Sequence, residues 1–306
     1  LTRPKVAFIG SGGATKGIAH LGAVKAMEEL GLSPEIYVGA SSGAVVGAFL
    51  AQGFTSEQMI DWFRPFWRRQ DPEGALLGRH FLGWPNRSQL GSMGWLTSGL
   101  FSIDRFERFL RERLPENDFR RLDRTLMVTA ADVDGRGRVV FGTGFRERVP
   151  ISQAVAASCC VPLLFRPYKI GDRYYMDGEV VKTLSLDLAV EAGADVVIIS
   201  NVYRPTVSRP GERSRVHEGP GAMISQTLNI VLAEKEKRGI ELIQRTHPDL
   251  HILNVSADIG HLSFLSRGNA RKLLARGYRE ALRVLTTAKQ RGVFDHRRSP
   301  AAAETA

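Results

Sequence analysis

The stretch Gly39-Ala40-Ser41-Ser42-Gly43 decides how this chain is read. Glu35-Ile-Tyr-Val-Gly-Ala40 before it is short, apolar and β-branched, which predicts a strand. Gly43-Ala-Val-Val-Gly-Ala-Phe-Leu-Ala51 after it predicts a buried helix. G-x-S-x-G between a strand and a helix has the form of a nucleophile elbow. A serine on such a sharp turn points its hydroxyl out of the fold, and the residues two places either side come so close that only small ones fit. Gly39 and Gly43 hold those places, and the helix behind them aims its free N–H groups and its dipole at the same spot. The competing reading is a small-residue turn that happens to contain serine; the strand-then-helix context favours the elbow.

Upstream, Lys5-Val-Ala-Phe-Ile9 reads as a strand, Gly10-Ser-Gly-Gly-Ala-Thr-Lys-Gly17 as a glycine-rich loop, and Ile18 to Leu30 as a helix stopped by Gly31. The order strand, loop, helix, strand, elbow, helix predicts an α/β fold with a mostly parallel central sheet covered by helices. The glycine-rich loop has several readings. A phosphate-binding P-loop needs Lys followed by Ser or Thr, and here Lys16 precedes Gly17. A dinucleotide loop needs a third glycine where Thr15 stands, so a nucleotide-dependent oxidoreductase is the weakest alternative. An oxyanion hole, built from converging backbone N–H groups, fits the glycines and places the loop beside the elbow at the carboxyl ends of neighbouring strands. A tight turn with no ligand stays open beside it.

The 306 residues are 43% hydrophobic and 24% charged, enough for one large domain with a real core. No run of about 18 apolar residues is present, so no membrane span is expected. The first residues read as a strand and not a signal sequence, and the chain opens on Leu1 rather than Met, so export stays open beside a cytoplasmic or peripheral membrane location. The two cysteines, Cys159 and Cys160, are adjacent and make no disulfide framework, which favours a reducing compartment. A net charge of +10 favours anionic partners, nucleic acid or an acidic lipid surface, unless it reflects an arginine-rich composition alone. No zinc spacing, RNA-binding aromatic signature or basic arm supports nucleic acid.

All four tryptophans, Trp62, Trp67, Trp84 and Trp95, fall within 53–117, interleaved with phenylalanines and with Arg64, Arg68, Arg69, Arg79 and Arg87. Such a segment suits a helical cap at an apolar mouth or membrane surface, or helices packed on the sheet. Thr125 to Asp132 and Gly137 to Phe141 predict a hairpin; Asp132-Val-Asp-Gly135 lacks the later ligands of a calcium loop, and no metal or cofactor is expected. Pro150 to Ser158 predicts a helix, Tyr168-Lys-Ile170 and Arg173-Tyr-Tyr-Met176 short strands leading to Asp177-Gly178, and Ala194 to Ser200 a buried strand. Residues 204–221 read as a mobile loop, Met223 to Gln244 as a helix, His251 to Val255 as a strand, and Ala270 to Gln290 as a helix. No linker divides the chain, so 1–295 are expected to form one domain and 296–306 a disordered tail.

A serine hydroxyl needs a base to act as a nucleophile. None of the seven histidines stands in a compact Gly- or Asp-flanked loop after a strand, although His247 and His261 stay open. Asp177 does stand that way, and a buried carboxylate within reach of the hydroxyl can serve. An ordinary Asp-Gly turn is the alternative.

Taken together, Ser11 to Gly17 with Ile18-Ala-His-Leu-Gly-Ala-Val-Lys-Ala26, Gly39 to Gly43, Ala157-Ser-Cys-Cys-Val-Pro162 and Met176-Asp-Gly178 resemble the patatin-like phospholipases. The resemblance runs from about Lys5 to Ser200. It implies a three-layer α/β/α sandwich, hydrolysis of lipid acyl esters without a cofactor, and a Ser–Asp dyad of Ser41 and Asp177. It also implies an oxyanion hole from the N–H groups of Gly12, Gly13 and Ala14. The chain differs from the family at Ser11, where a third glycine is frequent, at Lys16, where Arg is usual, and at Glu179, where Gly or Ala tends to follow Asp-Gly. A lipid or ester substrate is therefore expected, with peripheral contact to an anionic membrane. A catalytically inert lipid-binding or regulatory protein is the alternative.

Overall fold

A computed structural model describes residues 3–67, 99, 101–202, 214–259 and 269–295. Eight strands are described: β1 (Val6–Gly10), β2 (Ile36–Gly39), β3 (Thr125–Asp132), β4 (Gly137–Gly142), β5 (Tyr168–Ile170), β6 (Arg173–Asp177), β7 (Val196–Asn201) and β8 (His251–Ser256). The helices are α1 (Ile18–Glu29), α2 (Ser42–Leu50), α3 (Ser56–Trp67), α4 (Asp104–Arg113), α5 (Ile151–Ser158), α6 (Leu186–Glu191), α7 (Pro220–Thr246) and α8 (Ala270–Gln290).

The central strands are apolar on both faces because both faces are covered. Val6, Phe8, Tyr37, Leu126, Val128, Val196 and Ile198 turn into one core with α1, α2, α5 and α8. Their neighbours Ala7, Ile9, Ile36, Val38, Met127, Val197 and Ile199 turn the other way, against α6 and the C-terminal half of α7. This alternation is the two-residue period of a strand, and it makes the molecule a three-layer α/β/α sandwich. Strands β3, β2, β1, β7 and β8 run parallel in that order, as right-handed crossovers require. The additions are antiparallel: β4 on β3, β6 on β3, and β5 on β6.

On the first face α1 and α8 approach backbone to backbone. A Cβ on Gly22 would strike the main chain at Leu274, and one on Gly277 would strike that at Ala19, so only glycine permits this crossing.

Two sequence expectations shift. The long helix begins at Pro220 rather than Met223 and ends at Thr246 rather than Gln244. Gly219, at φ 93°, turns the chain and Pro220 then enters the helix at its first turn, so part of the expected 204–221 loop is helical. Of the aromatic segment 53–117, α3 and α4 are described, while 68–98 and 100 lie outside the described residues, as does the tail 296–306.

Candidate active site

Ser41 lies between β2 and α2 with φ 52° and ψ −123°, a conformation that costs a non-glycine residue of order 1–3 kcal/mol and persists only where its surroundings hold it. Its N–H donates to Ser158 Oγ at 2.8 Å, and Ser158 Oγ donates onward to the Thr129 carbonyl at 2.7 Å. The Gly43 N–H donates to the Ser11 carbonyl at 3.1 Å and to that of Ala40 at 2.9 Å. A Cβ on Gly43 would collide with the main chain of Gly10, and one on Gly39 with that of Gly43. The two glycines thus let the elbow close against the end of β1.

The placement of Asp177 follows from strand β3. Along one edge, β4 covers β3 from Met127 to Asp132. The other edge is shared: β2 pairs with Thr125 to Val128, ending at Gly39, and β6 pairs with Ala130 to Asp132, ending at Asp177. Two strands that run toward each other therefore finish on the same edge of β3, at partners Val128 and Ala130. The elbow leaves one strand tip and Asp177 occupies the other. The Asp177 N–H is also tied to the Cys160 carbonyl at 3.0 Å, beyond the end of α5.

Asp177 is 4% exposed. Burial raises its carboxyl to about 6, and hydrogen bonds from the Glu179 N–H (3.0 Å to Oδ1) and from the Ser41 side chain offset part of that rise. The Ser41 side chain is thus among the groups that act on the Asp177 carboxyl. Burial first, then the nearby Asp177, pushes the Cys159 thiol well up, so it stays protonated.

The loop after β1 is held by groups distant in sequence. Ser11 Oγ donates to the Gly12 carbonyl and accepts from the Val202 N–H, both at 3.0 Å. Buried His20 lies 2.9 Å by Nε2 from the Ser11 carbonyl and 2.7 Å by Nδ1 from Ser200 Oγ. A carbonyl only accepts, so Nε2 carries the proton and Nδ1 accepts from Ser200. Burial lowers its pKa to about 4, so the ring is neutral at physiological pH. Gly13, at φ 152°, has Val202 where a Cβ would stand. Ala14 opens a short 3₁₀ turn, Ala14–Gly17. The Gly12 N–H, expected to face an oxyanion, instead donates to Glu179 Oε1 at 2.7 Å. The reason is the side chain that follows Gly178: a glutamate there reaches across to the loop.

The histidines left open from sequence stand elsewhere. His247 closes α7 at the opposite end of the sheet, with Nδ1 2.9 Å from Thr246 Oγ1, and His261 lies outside the described residues. Sequence reading missed Ser158, His20 and Glu179 as parts of the site. Only Glu179 left a signal, as a charged residue directly after a buried Asp-Gly. Among the described residues, no group of three or more His, Cys, Asp or Glu could hold a metal, and no helix is long and apolar enough to cross a membrane.

A family model described as patatin-like phospholipase matches residues 9–190. YqhO of Bacillus subtilis, an uncharacterized protein, is 27% identical over 190 residues, 58% of this chain and 64% of its own length. An uncharacterized NTE family protein of Mycobacterium tuberculosis is 26% identical over 66% of this chain and 31% of its own length. The chain thus spans just under two thirds of the one relative and under a third of the other. A protein of invertebrate iridescent virus 6 named "Probable lipid hydrolase" is 22% identical over 59% of this chain and 62% of its own. The crystal structure of VipD from Legionella pneumophila superposes with a TM-score of 0.50 at 14% identity, covering 94% of this chain and 67% of that one, a likeness of fold.

Proposed function

This chain belongs to the patatin-like phospholipase family, and from that premise we propose that it is a serine acyl hydrolase cleaving carboxylic ester bonds of lipids. The observation that carries the proposal is the buried Asp177 carboxyl, raised to about 6, on the strand tip that meets the elbow of the strained Ser41 along one edge of β3. A carboxylate of that basicity is ionised at neutral pH yet holds a proton far better than an exposed aspartate.

In this reading Ser41 Oγ bonds to the ester carbonyl carbon as its proton passes to Asp177. The negative charge that moves onto the carbonyl oxygen is met by backbone N–H groups of Gly13 and Ala14 and by the N-terminal end of α2. Collapse breaks the bond to the alcohol, which leaves with the proton from Asp177. Water then gives a proton to Asp177 as it attacks the acyl carbon, the bond from that carbon to Ser41 Oγ breaks, Asp177 returns the proton to Oγ, and the acid is released. Phospholipids, lysophospholipids and simple esters all fit this chemistry.

Ser41→Ala and Asp177→Asn are each expected to reduce hydrolysis of a p-nitrophenyl ester to background while circular dichroism stays native-like and thermal unfolding stays cooperative. Normal turnover in either would overturn the dyad. A second reading, an inert lipid-binding protein, is favoured by one observation: the Gly12 N–H is occupied by Glu179. A fluorophosphonate probe separates them, since an inert site would leave Ser41 unlabelled in folded protein.

A further inference from the structure

Glu179 is a third carboxyl group in this site, and the dyad does not use it. It is 2% exposed. Its Oε1 accepts the Gly12 N–H at 2.7 Å, while Oε2 is buried with no hydrogen-bond partner among the described residues. It faces Asp177 from its own turn, Gly12 from the loop after β1, and Lys235 and Glu236 from α7. The cation gives little direct compensation. Lys235 Nζ donates to main-chain carbonyls, that of Val180 at 2.9 Å and that of Glu179 at 3.5 Å. Glu236 is a further acid, receiving Asn201 Nδ2 at 2.5 Å and Asn254 Nδ2 at 3.4 Å.

We propose that Glu179 is a positioning residue that works as a proton-controlled latch on the glycine loop. Protonated, it holds the Gly12 N–H as a neutral acceptor and leaves the neighbouring amides free to receive negative charge. Ionised, it sets a full carboxylate against the same loop, and that charge opposes the one developing on the substrate oxygen.

Burial first, and the charge of Asp177 second, raise Glu179 to about 8, while Asp177 sits at about 6. As a coupled pair, the two carboxyls share one negative charge between those values. Asp177 carries it, because its Oδ1 accepts the Glu179 N–H and the Ser41 side chain lowers it as well. The working form is therefore ionised Asp177 beside neutral Glu179, and the pair switches off on both sides of that window.

This inference rests on the proposed hydrolase reading, and the test separates the two. Measure kcat/KM for p-nitrophenyl butyrate from about pH 5 to about pH 9.5, with Ser41→Ala as the blank. The wild type should rise through about pH 6 and fall about fivefold between pH 8 and 9. Glu179→Gln keeps an acceptor for Gly12 but cannot ionise, so it should keep the rise and lose the alkaline fall. An alkaline fall that persists in Glu179→Gln, or is absent in the wild type, overturns the latch. A second measurement needs no turnover: carboxyl ¹³C and Gly12 amide ¹⁵N shifts of selectively labelled protein. Both should titrate together near pH 8, with the carboxyl signal absent in Glu179→Gln. Titration of Glu179 near the ordinary glutamate value overturns the proposal, whether or not Ser41 reacts with fluorophosphonate. Absence of ester turnover and of fluorophosphonate labelling would remove the hydrolase reading alone.

Discussion

Asp177 and Glu179 stand either side of Gly178, both sealed from water, and each binds its proton more tightly in the folded chain than out of it. A carboxyl raised by folding loses stability as pH climbs: below the unfolded value both states hold the proton, and above it the unfolded state releases first. For Asp177, moving from 3.8 to about 6 corresponds to about 3 kcal/mol of native stability lost across that window. Asp177→Asn keeps an acceptor for the Glu179 N–H and has no charge to bury. It should therefore melt several degrees above wild type at about pH 8, the gap narrowing toward pH 4 in parallel thermal scans. Ser158→Ala should act in the opposite sense. It orphans the Ser41 N–H and the Thr129 carbonyl, costing about 1–3 kcal/mol in denaturant titration and slowing kcat more than it changes KM. Ser41 and Asp177 were legible in sequence because an elbow and an Asp-Gly turn restrict their immediate neighbours. Ser158 was not, because its partner Ser41 lies 117 residues away and leaves no local pattern, and Glu179 stood out only as a charge after Asp-Gly, its partner Gly12 lying 167 residues away.

At the level of elements, α1 carries His20, which anchors the loop after β1, and α1 is held by its crossing with α8. Gly277→Val would drive a branched side chain into the main chain at Ala19, in the turn that precedes His20. It should lower stability by about 1–3 kcal/mol or more and reduce turnover at temperatures where the fold persists, measured by urea unfolding and ester assay together. Helices α1 and α8 were plain in the sequence from apolar residues at helical spacing, and β1 and β2 from short apolar runs buried on both faces. The meeting of β2 and β6 on one edge of β3 was not. Pairing partners are chosen by the whole sheet, and three-residue strands such as β5 carry too little pattern to announce a neighbour.

For the molecule as a whole, the excess of 42 Lys and Arg over 32 Asp and Glu is a long-range property, readable from composition alone. Cosedimentation with phosphatidylglycerol vesicles is expected to fall steeply as salt rises from about 0.05 M to about 0.5 M, because screening shortens the reach of surface charge. Binding indifferent to salt would assign the contact to apolar side chains instead. The sandwich has a further consequence for heating. The parallel strands β1 and β7 share five paired positions, whereas β6 grips β3 by three, and β5 hangs outside it by three more. Warming will peel that outer hairpin first, drawing the carboxylate off the serine while the rest of the sheet is intact. Activity should vanish below the melting transition and return on cooling, as with a resettable thermal fuse.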